Sequence, residues 1–285
     1  MTYKHPEALV ETDWLAQHLE APDVRVVDAS WYLPGIDRDP RAEYLKAHIP
    51  GAVFFDIDDV ADETSPYPHM LPSPAKFSSR VRKMGLGDGA RLVIYDADGD
   101  GLFSAARAWW MFRVFGHEDV AVLNGGLAKW RAENRPLESG NVTPQPRHYS
   151  ARTNNLLIRD IDQMRANLET KAEQVVDSRS AARFHAREPE PRPNVRGGHI
   201  PGSFNVPYDE MVDPKTKKFL PAEQLVEKFK AAGLDLRKPV VATCGSGVTA
   251  PILALGLYLI GHPETAVYDG SWAEWGAQTD TPIET

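Results

Sequence analysis

Short apolar runs alternate with longer amphipathic stretches along the whole chain. The short runs are bounded by turn-forming residues and predict strands, and the longer stretches carry apolar residues at helical spacing. Such alternation is typical of a parallel sheet with helices on both faces. The longest apolar run, residues 251–261, is about half of the ~20 residues that a membrane-spanning helix needs. We interpret it as a buried helix and expect no membrane partner.

Sequence blocks of the first half return in the same order in the second half, which indicates duplication. HIPGA at residues 48–52 returns as HIPGS at residues 199–203. The other matched blocks are VRVVDAS at 24–30 with QVVDS at 174–178, LVIYD at 92–96 with VVATC at 240–244, and NGG at 124–126 with DGS at 269–271. We therefore predict two tandem α/β domains, each with a parallel sheet flanked by helices on both faces.

The stretch between the two halves is polar, contains two prolines and has no hydrophobic periodicity. These properties are typical of a linker. The predicted boundaries are residues 1–138 for the N-terminal domain, 139–155 for the linker and 156–285 for the C-terminal domain.

Charge and cysteine content indicate which classes of partner and which cellular compartment to expect. The net charge is −8 and no dense Lys/Arg run exists, so neither nucleic acid nor an anionic membrane surface is an expected partner. A single cysteine cannot form an internal disulfide, which favours a reducing compartment. The first thirty residues show neither a signal-peptide core nor a transit sequence. These observations predict a cytoplasmic location.

The single cysteine, Cys244, stands where a predicted strand ends, which is where open α/β sheets bind ligands. The next residues, Gly245-Ser246-Gly247, lead into a helix with Pro251 in its first turn. Glycines let backbone N–H groups turn toward the sulfur, and these amides together with the helix dipole stabilise an anion. Such surroundings lower the pKa of a thiol. The alternative is a small buried apolar cysteine, which the glycine loop disfavours.

The loop CGSGVT at residues 244–249 resembles the active-site loop of the 3-mercaptopyruvate sulfurtransferases, a family of the tandem-domain rhodanese superfamily. The resemblance covers nearly the whole chain, including both HIPG turns and the tryptophan-rich segments. Asp96 stands where the first half would otherwise have a cysteine, as in tandem rhodaneses with one silent domain. The resemblance implies a non-catalytic first domain, a catalytic second domain, and no cofactor. It also implies a persulfide on Cys244 and substrate binding by the loop residues Gly245, Gly247, Val248 and Thr249.

The charged residues near Cys244 indicate which sulfur donor to expect. The loop 244–249 has no charged residue, whereas thiosulfate-specific relatives usually carry basic residues inside it. Mercaptopyruvate offers one carboxylate and a ketone, which arginine recognises well. The resemblance places the substrate-binding arginines at Arg183 and Arg192, and Arg179 is expected to support the structure. The alternative is that Arg183 and Arg192 are surface residues of a charged loop.

The resemblance also implies a proton-handling trio formed by Ser246, His48 and Asp37 across the domain cleft. A histidine oriented by a carboxylate can pass a proton to a hydroxyl near the substrate. Another interpretation of His48 stays open, because His199 has the same place in the second HIPG block, and both could stabilise a turn. The implied cycle takes sulfur from a small-molecule donor, releases pyruvate and passes the sulfur to a thiol such as that of thioredoxin, or to cyanide.

Metal and nucleotide sites have little support in the sequence. The run DADGDG at 96–101 opens like an EF-hand loop, but Arg107 stands at the twelfth position, where a glutamate belongs. With one cysteine and no HxxxH pair, we expect no metal site. No glycine loop ends in the Gly-Lys-Ser/Thr of a phosphate loop.

Three alternative functions stay open. The first is a thiosulfate:cyanide sulfurtransferase that uses the same nucleophile. The second is a cysteine phosphatase on a similar fold, which would need an arginine at the position of Ala250. The third is a non-catalytic sulfur-carrier or regulatory module without turnover of a donor.

Overall fold

The computed structural model describes residues 1–33, 35–97 and 103–285. It contains two sheets of five strands each. The strands of the first sheet are β1 Leu9–Val10, β2 Val24–Asp28, β3 Val53–Phe54, β4 Arg91–Tyr95 and β5 Val120–Leu123. Those of the second sheet are β6 Ile158–Arg159, β7 Gln174–Asp177, β8 Phe204–Asn205, β9 Val240–Thr243 and β10 Ala266–Tyr268.

Helices connect the strands in both halves. The helices of the first half are α1 Thr12–His18, α2 Pro40–Lys46, α3 Ile57–Val60, α4 Pro74–Lys83, α5 Ala105–Val114 and α6 Gly126–Ala132. Those of the second half are α7 Ile161–Thr170, α8 Ala181–Phe184, α9 Ala222–Ala231, α10 Ala250–Leu259 and α11 Ser271–Trp275. Single 3-10 turns cover Pro6–Ala8, Asn155–Leu157 and Tyr208–Met211.

The two sheets have the same topology. Their strand orders are β1-β5-β4-β2-β3 and β6-β10-β9-β7-β8, and every pair is parallel. The predicted duplication of an α/β domain is therefore confirmed. The central strands β4 and β9 hold the same place in the two orders, so Asp96 and Cys244 follow equivalent strands.

The two domains meet through α5 and α10, the equivalent helices that follow the two central strands. Nine of the ten residues of each helix are buried, because each helix covers its own sheet and also packs against the other. This double packing explains why residues 251–261 are apolar all round. The N-terminal residues also cross the interface, since the Tyr3 hydroxyl donates to the Leu220 carbonyl at 2.7 Å. Within the described residues, no helix has the length and apolar character that spanning a membrane would require.

The polar segment 139–155 lies along the first domain. The backbone of Asp88 donates to the carbonyl of His148, and that of Arg147 donates to the carbonyl of Arg82. Gly85 allows the close approach: a Cβ there would lie 2.7 Å from Cβ of Pro144. This segment therefore packs as an extended strap and does not hang free between the domains.

Gly85→Ala is expected to destabilise the first domain more than Gly89→Ala does. Both glycines have a left-handed φ, +68° and +77°, so each alanine adds backbone strain of about 1 kcal/mol. Only at position 85 does the new Cβ clash, which adds a further ~1–3 kcal/mol, whereas nothing lies within 4 Å of it at position 89. Urea denaturation midpoints measure the difference. Equal midpoints for the two variants would show that the strap does not pack closely on Gly85.

Candidate active site

A cavity of about 320 Å³ opens at the carboxyl end of the second sheet, beside the end of β9. Its walls come from both halves of the chain, since Leu33 and Phe103 of the first domain face the catalytic loop of the second. The lining residues from the second domain are Arg179, Ser180, Arg183, Pro191, Arg192, Tyr208, Cys244, Gly245, Ser246, Val248 and Thr249. The structure therefore brings both predicted arginines together with Cys244 and with all predicted loop residues but Gly247.

The sulfur of Cys244 is almost fully buried and lies among polar groups of the loop. The backbone N–H of Gly247 donates to Sγ at 3.1 Å. The Ser271 hydroxyl lies 3.8 Å from Sγ, accepts the N–H of Cys244 at 3.2 Å and donates to the Tyr268 carbonyl at 2.8 Å. The Gly247 N–H therefore stabilises negative charge on sulfur, as the start of α10 at Ala250 also does, whereas the proton of the Ser271 hydroxyl is used by the Tyr268 carbonyl.

Glycine is required in this loop because other groups approach its backbone closely. Gly247 has φ +78°, and a Cβ there would lie 2.7 Å from the Asp269 carbonyl. At Gly245 a Cβ would lie 3.0 Å from Nη2 of Arg183. Gly247 does not line the cavity, but it supplies the amide that contacts the sulfur. The loop shape thus follows from its two glycines.

Arg183 is held in place by Glu190, whose role the sequence reasoning missed. Nη2 of Arg183 donates to Oε2 of Glu190 at 2.5 Å, and Nη1 of Arg179 donates to Oε1 at 2.8 Å. The Glu190 side chain is only 4% exposed. Arg179 also pairs with Asp177, at 2.7 Å. One carboxylate thus fixes the cavity-lining Arg183 and the buried Arg179 together.

Arg192 is different, since its guanidinium makes no hydrogen bond or ion pair with any other described residue. Burial lowers the pKa of Arg192, and the charge of Cys244 acts in the opposite direction. A half-buried guanidinium without an anionic partner, on the wall that holds the nucleophile, is suited to bind an anionic ligand.

His48 and Asp37 do not line this cavity. His48 is fully buried, its Nδ1 donates to the Tyr44 carbonyl at 2.7 Å, and its ring stacks on that tyrosine. His199 repeats the arrangement, with Nδ1 bonded to the Phe184 carbonyl and its ring stacked on Phe184. The geometry favours the alternative that both histidines stabilise HIPG turns. Asp37 is exposed.

A second histidine, His69, is connected to the loop 244–249 through its backbone carbonyl, although it too is not among the residues that line the cavity. Its Nδ1 is 2.7 Å from Oδ1 of Asp58, and its carbonyl accepts a hydrogen bond from Nη2 of Arg107. The same guanidinium donates from Nη1 to the Gly247 carbonyl at 3.0 Å. The imidazole also packs edge-on against Trp31, which in turn stacks on the cavity residue Phe103. His69 therefore lies two hydrogen bonds away from the residue that contacts the sulfur.

The carboxylate of Asp58 fixes the proton of this histidine. Partial desolvation acts to raise the pKa of Asp58, but hydrogen bonds from His69 and from the Trp31 indole outweigh it and lower the pKa. An ionised Asp58 can accept the proton of Nδ1 and so orient the imidazole. His69 also has φ +62°, a strained backbone that is common at functional sites.

The equivalent position of the first domain is filled by a carboxylate. Asp96 is buried, and its Oδ2 accepts the N–H groups of Ser104 and Ala105 at 2.9 and 2.8 Å. The carboxylate of Asp96 therefore occupies the anion-binding start of α5. Residues 98–101 of the EF-hand-like run lie outside the described residues. Elsewhere in the chain, no group of three His, Cys, Asp or Glu side chains is placed to hold a metal ion.

Comparison with known proteins finds matches over both halves. Residues 11–133 and 160–278 each match the family model of the rhodanese-like domain. Human 3-mercaptopyruvate sulfurtransferase is 47% identical over 272 residues, which cover 94% of this chain and 91% of that protein. Bovine thiosulfate sulfurtransferase is 46% identical, with the same coverage of both chains. A solved structure from Escherichia coli, described as a 3-mercaptopyruvate sulfotransferase, has a TM-score of 0.85 at 40% identity and covers 93% of this chain and 98% of that one.

Proposed function

The chain belongs to the rhodanese family and is a sulfurtransferase, and we propose that it takes sulfur from 3-mercaptopyruvate onto Cys244 and passes it to a thiol or to cyanide. The observation that carries the choice of donor is the pairing of an uncharged loop with one arginine, Arg192, that has no anionic partner among the described residues. Mercaptopyruvate brings one carboxylate to this site.

Overall similarity does not choose between the donors, because the human and bovine relatives are about equally similar to this chain. The charge of the cavity wall does favour one of them. Glu190 already balances part of the charge of Arg179 and Arg183, so Arg192 is the main uncompensated cation. A compact dianion such as thiosulfate would need a second uncompensated cation. Thiosulfate remains the second candidate donor.

In the first half-reaction, the Cys244 thiolate attacks the thiol sulfur of mercaptopyruvate. The new S–S bond forms as the C–S bond breaks, and the bonding electrons leave on carbon as the enolate of pyruvate. The proton of the donor thiol is the proton that this enolate needs, so the step balances without an external acid. Arg192 and Arg183 would bind the carboxylate and the enolate oxygen.

We place Ser246 and His69 on the path of this proton. The Ser246 hydroxyl lines the cavity beside Cys244 and makes no hydrogen bond to another described side chain. His69, oriented by Asp58, is the proposed carrier. We prefer this pair to His48 and Asp37 because Nδ1 of His48 bonds the Tyr44 carbonyl and Asp37 is exposed, and the trio of Ser246, His48 and Asp37 stays the alternative.

In the second half-reaction, an acceptor thiolate attacks the outer sulfur of the persulfide and regenerates the Cys244 thiolate. The Gly247 amide contacts Sγ of Cys244 and so can stabilise the thiolate that leaves in this step. Thioredoxin is a suitable acceptor, and cyanide would leave as thiocyanate. A reducing cytoplasm, which we propose as the location, keeps both Cys244 and such acceptors in the thiol form.

Incubation with mercaptopyruvate is expected to add the mass of one sulfur atom to the intact chain and to release pyruvate, and dithiothreitol should remove the sulfur. Cys244→Ser is expected to gain no mass and to release no pyruvate. Thiosulfate, tested side by side by mass spectrometry, should load the cysteine more slowly. Turnover by Cys244→Ser would contradict the nucleophile, and faster loading by thiosulfate would contradict the donor.

Arg192→Ala is expected to weaken use of mercaptopyruvate by on the order of 2 kcal/mol, which is about thirty-fold in kcat/KM, because a charge-assisted contact is lost. Arg187→Ala is the matched control, since Arg187 is exposed in the same segment and does not line the cavity. Steady-state rates of pyruvate release from mercaptopyruvate and of sulfite release from thiosulfate measure the effect. Equal losses in the two variants would mean that Arg192 does not bind the donor.

His69→Gln is expected to lower kcat for pyruvate release by about 10²-fold and to change the shape of the pH–rate profile, because a positioned proton carrier is lost. His48→Gln should lower the melting temperature, since a buried hydrogen bond is removed, but should keep the profile. Rates over a range of pH distinguish the two histidines. A profile that changes in His48→Gln alone would restore the original trio.

A further inference from the structure

Arg107 is a fully buried arginine that crosses the domain interface. It lies on α5 of the first domain, and its Nη1 donates to Oδ1 of Asp269 at 2.6 Å and to the Gly247 carbonyl at 3.0 Å, both in the second domain. Its Nη2 donates to the carbonyl of His69 in its own domain. One guanidinium therefore contacts the residue that binds the sulfur and the residue proposed to carry the proton.

Asp269 completes the cluster from the other side. Its side chain is 5% exposed, and its Oδ2 accepts the N–H of Leu71 at 2.6 Å across the interface. The Arg107 guanidinium also lies over the Trp110 ring, 4.6 Å from the ring centroid. The ion pair thus connects the backbone of the first domain near His69 with the catalytic loop of the second.

Domain docking alone does not explain this ion pair. The apolar faces of α5 and α10 already hold the domains together, and a buried ion pair is often no more stabilising than apolar side chains of the same volume. Arg113 shows the difference. It lies on the same helix and also crosses the interface, with Nη2 bonded to the Pro263 carbonyl and its guanidinium over Tyr258, but it contacts no residue of the catalytic loop.

We propose that Arg107 is a positioning residue of the catalytic loop: it fixes Gly247 so that its amide points at the Cys244 sulfur, and it fixes His69 at the correct distance from that loop. The planar guanidinium suits this role because its two terminal nitrogens donate in different, fixed directions. A lysine would keep the charge but could not hold both carbonyls with the same geometry. Asp269 keeps the guanidinium from rotating.

This inference rests on the proposed function only for the part that concerns His69. The part that concerns Gly247 can be tested without any sulfur donor. The rate at which iodoacetamide alkylates Cys244 depends on the thiolate, which the Gly247 amide stabilises. Since Cys244 is the only thiol of the chain, the alkylation rate reports on it alone.

The experiment compares Arg107→Lys with Arg113→Lys in the full chain. We expect Arg107→Lys to lower the alkylation rate near neutral pH by about five- to ten-fold, to move its pH midpoint upward, and to lower kcat/KM for pyruvate release by at least about ten-fold. Arg113→Lys is expected to keep the alkylation profile of the wild type. Melting temperatures of the two variants are compared to separate loss of position from loss of fold.

A double variant, Arg107→Met with Asp269→Asn, removes both charges and so excludes an effect of an unpaired buried carboxylate. It should show the same upward shift of the alkylation midpoint. A wild-type profile in both Arg107 variants would overturn the proposal, as would an equal shift in Arg113→Lys. If the wild-type chain failed to use mercaptopyruvate, the donor proposal would fail, while the alkylation comparison would still decide the role of Arg107.

Discussion

The structure depends on holding an anion at the start of a buried helix. In each domain the central strand of the sheet ends directly before such a helix, β4 before α5 and β9 before α10. Neighbouring strands and the buried helix exclude water there, so backbone amides must replace it as hydrogen-bond donors. The second domain uses this place for the Cys244 sulfur, and the first fills it with the Asp96 carboxylate. The same fold therefore gives one reactive and one silent site.

The silent domain remains part of the site because of the way the two halves pack. The equivalent helices α5 and α10 lie against each other, which sets the loop before each helix near the other domain. First-domain residues Leu33 and Phe103 thereby line the cavity, and Arg107 reaches the catalytic loop. A domain that has no nucleophile of its own thus encloses the site and supplies the proposed proton carrier, His69.

The repeat explains why the fold could be predicted from the sequence and why part of the site could not. Matched blocks fix equivalent strands and turns, so the topology and the place of Cys244 follow from them. The repeat bears on the role of His48: its counterpart His199 also bonds a backbone carbonyl through Nδ1, which favours a role in the turn that the domains share, and the trio implied by the resemblance stays a prediction. His69 has no counterpart, since the second half has no histidine between residues 200 and 261. Residues that differ between the duplicated halves are the signal for function that the sequence offers.

The ion pair of Glu190 with Arg183 could be recognised only in the folded chain, because no spacing rule predicts it.

The proposed preference for mercaptopyruvate over thiosulfate depends on very few charges in the cavity. Relatives named for mercaptopyruvate and for thiosulfate are about equally similar to this chain, so the fold and most of the core serve both. The feature of this chain that bears on the donor is the number of cations without a partner at the cavity wall. Glu190, itself buried, accepts hydrogen bonds from Arg179 and Arg183 and thereby lowers the net charge that a donor meets. A buried ligand charge is tolerated only when an opposite charge or several dipoles compensate it. Arg192 can compensate one carboxylate, and the loop has no charged side chain to compensate a second negative charge, which is why we propose that the site favours a monoanionic donor over a dianion.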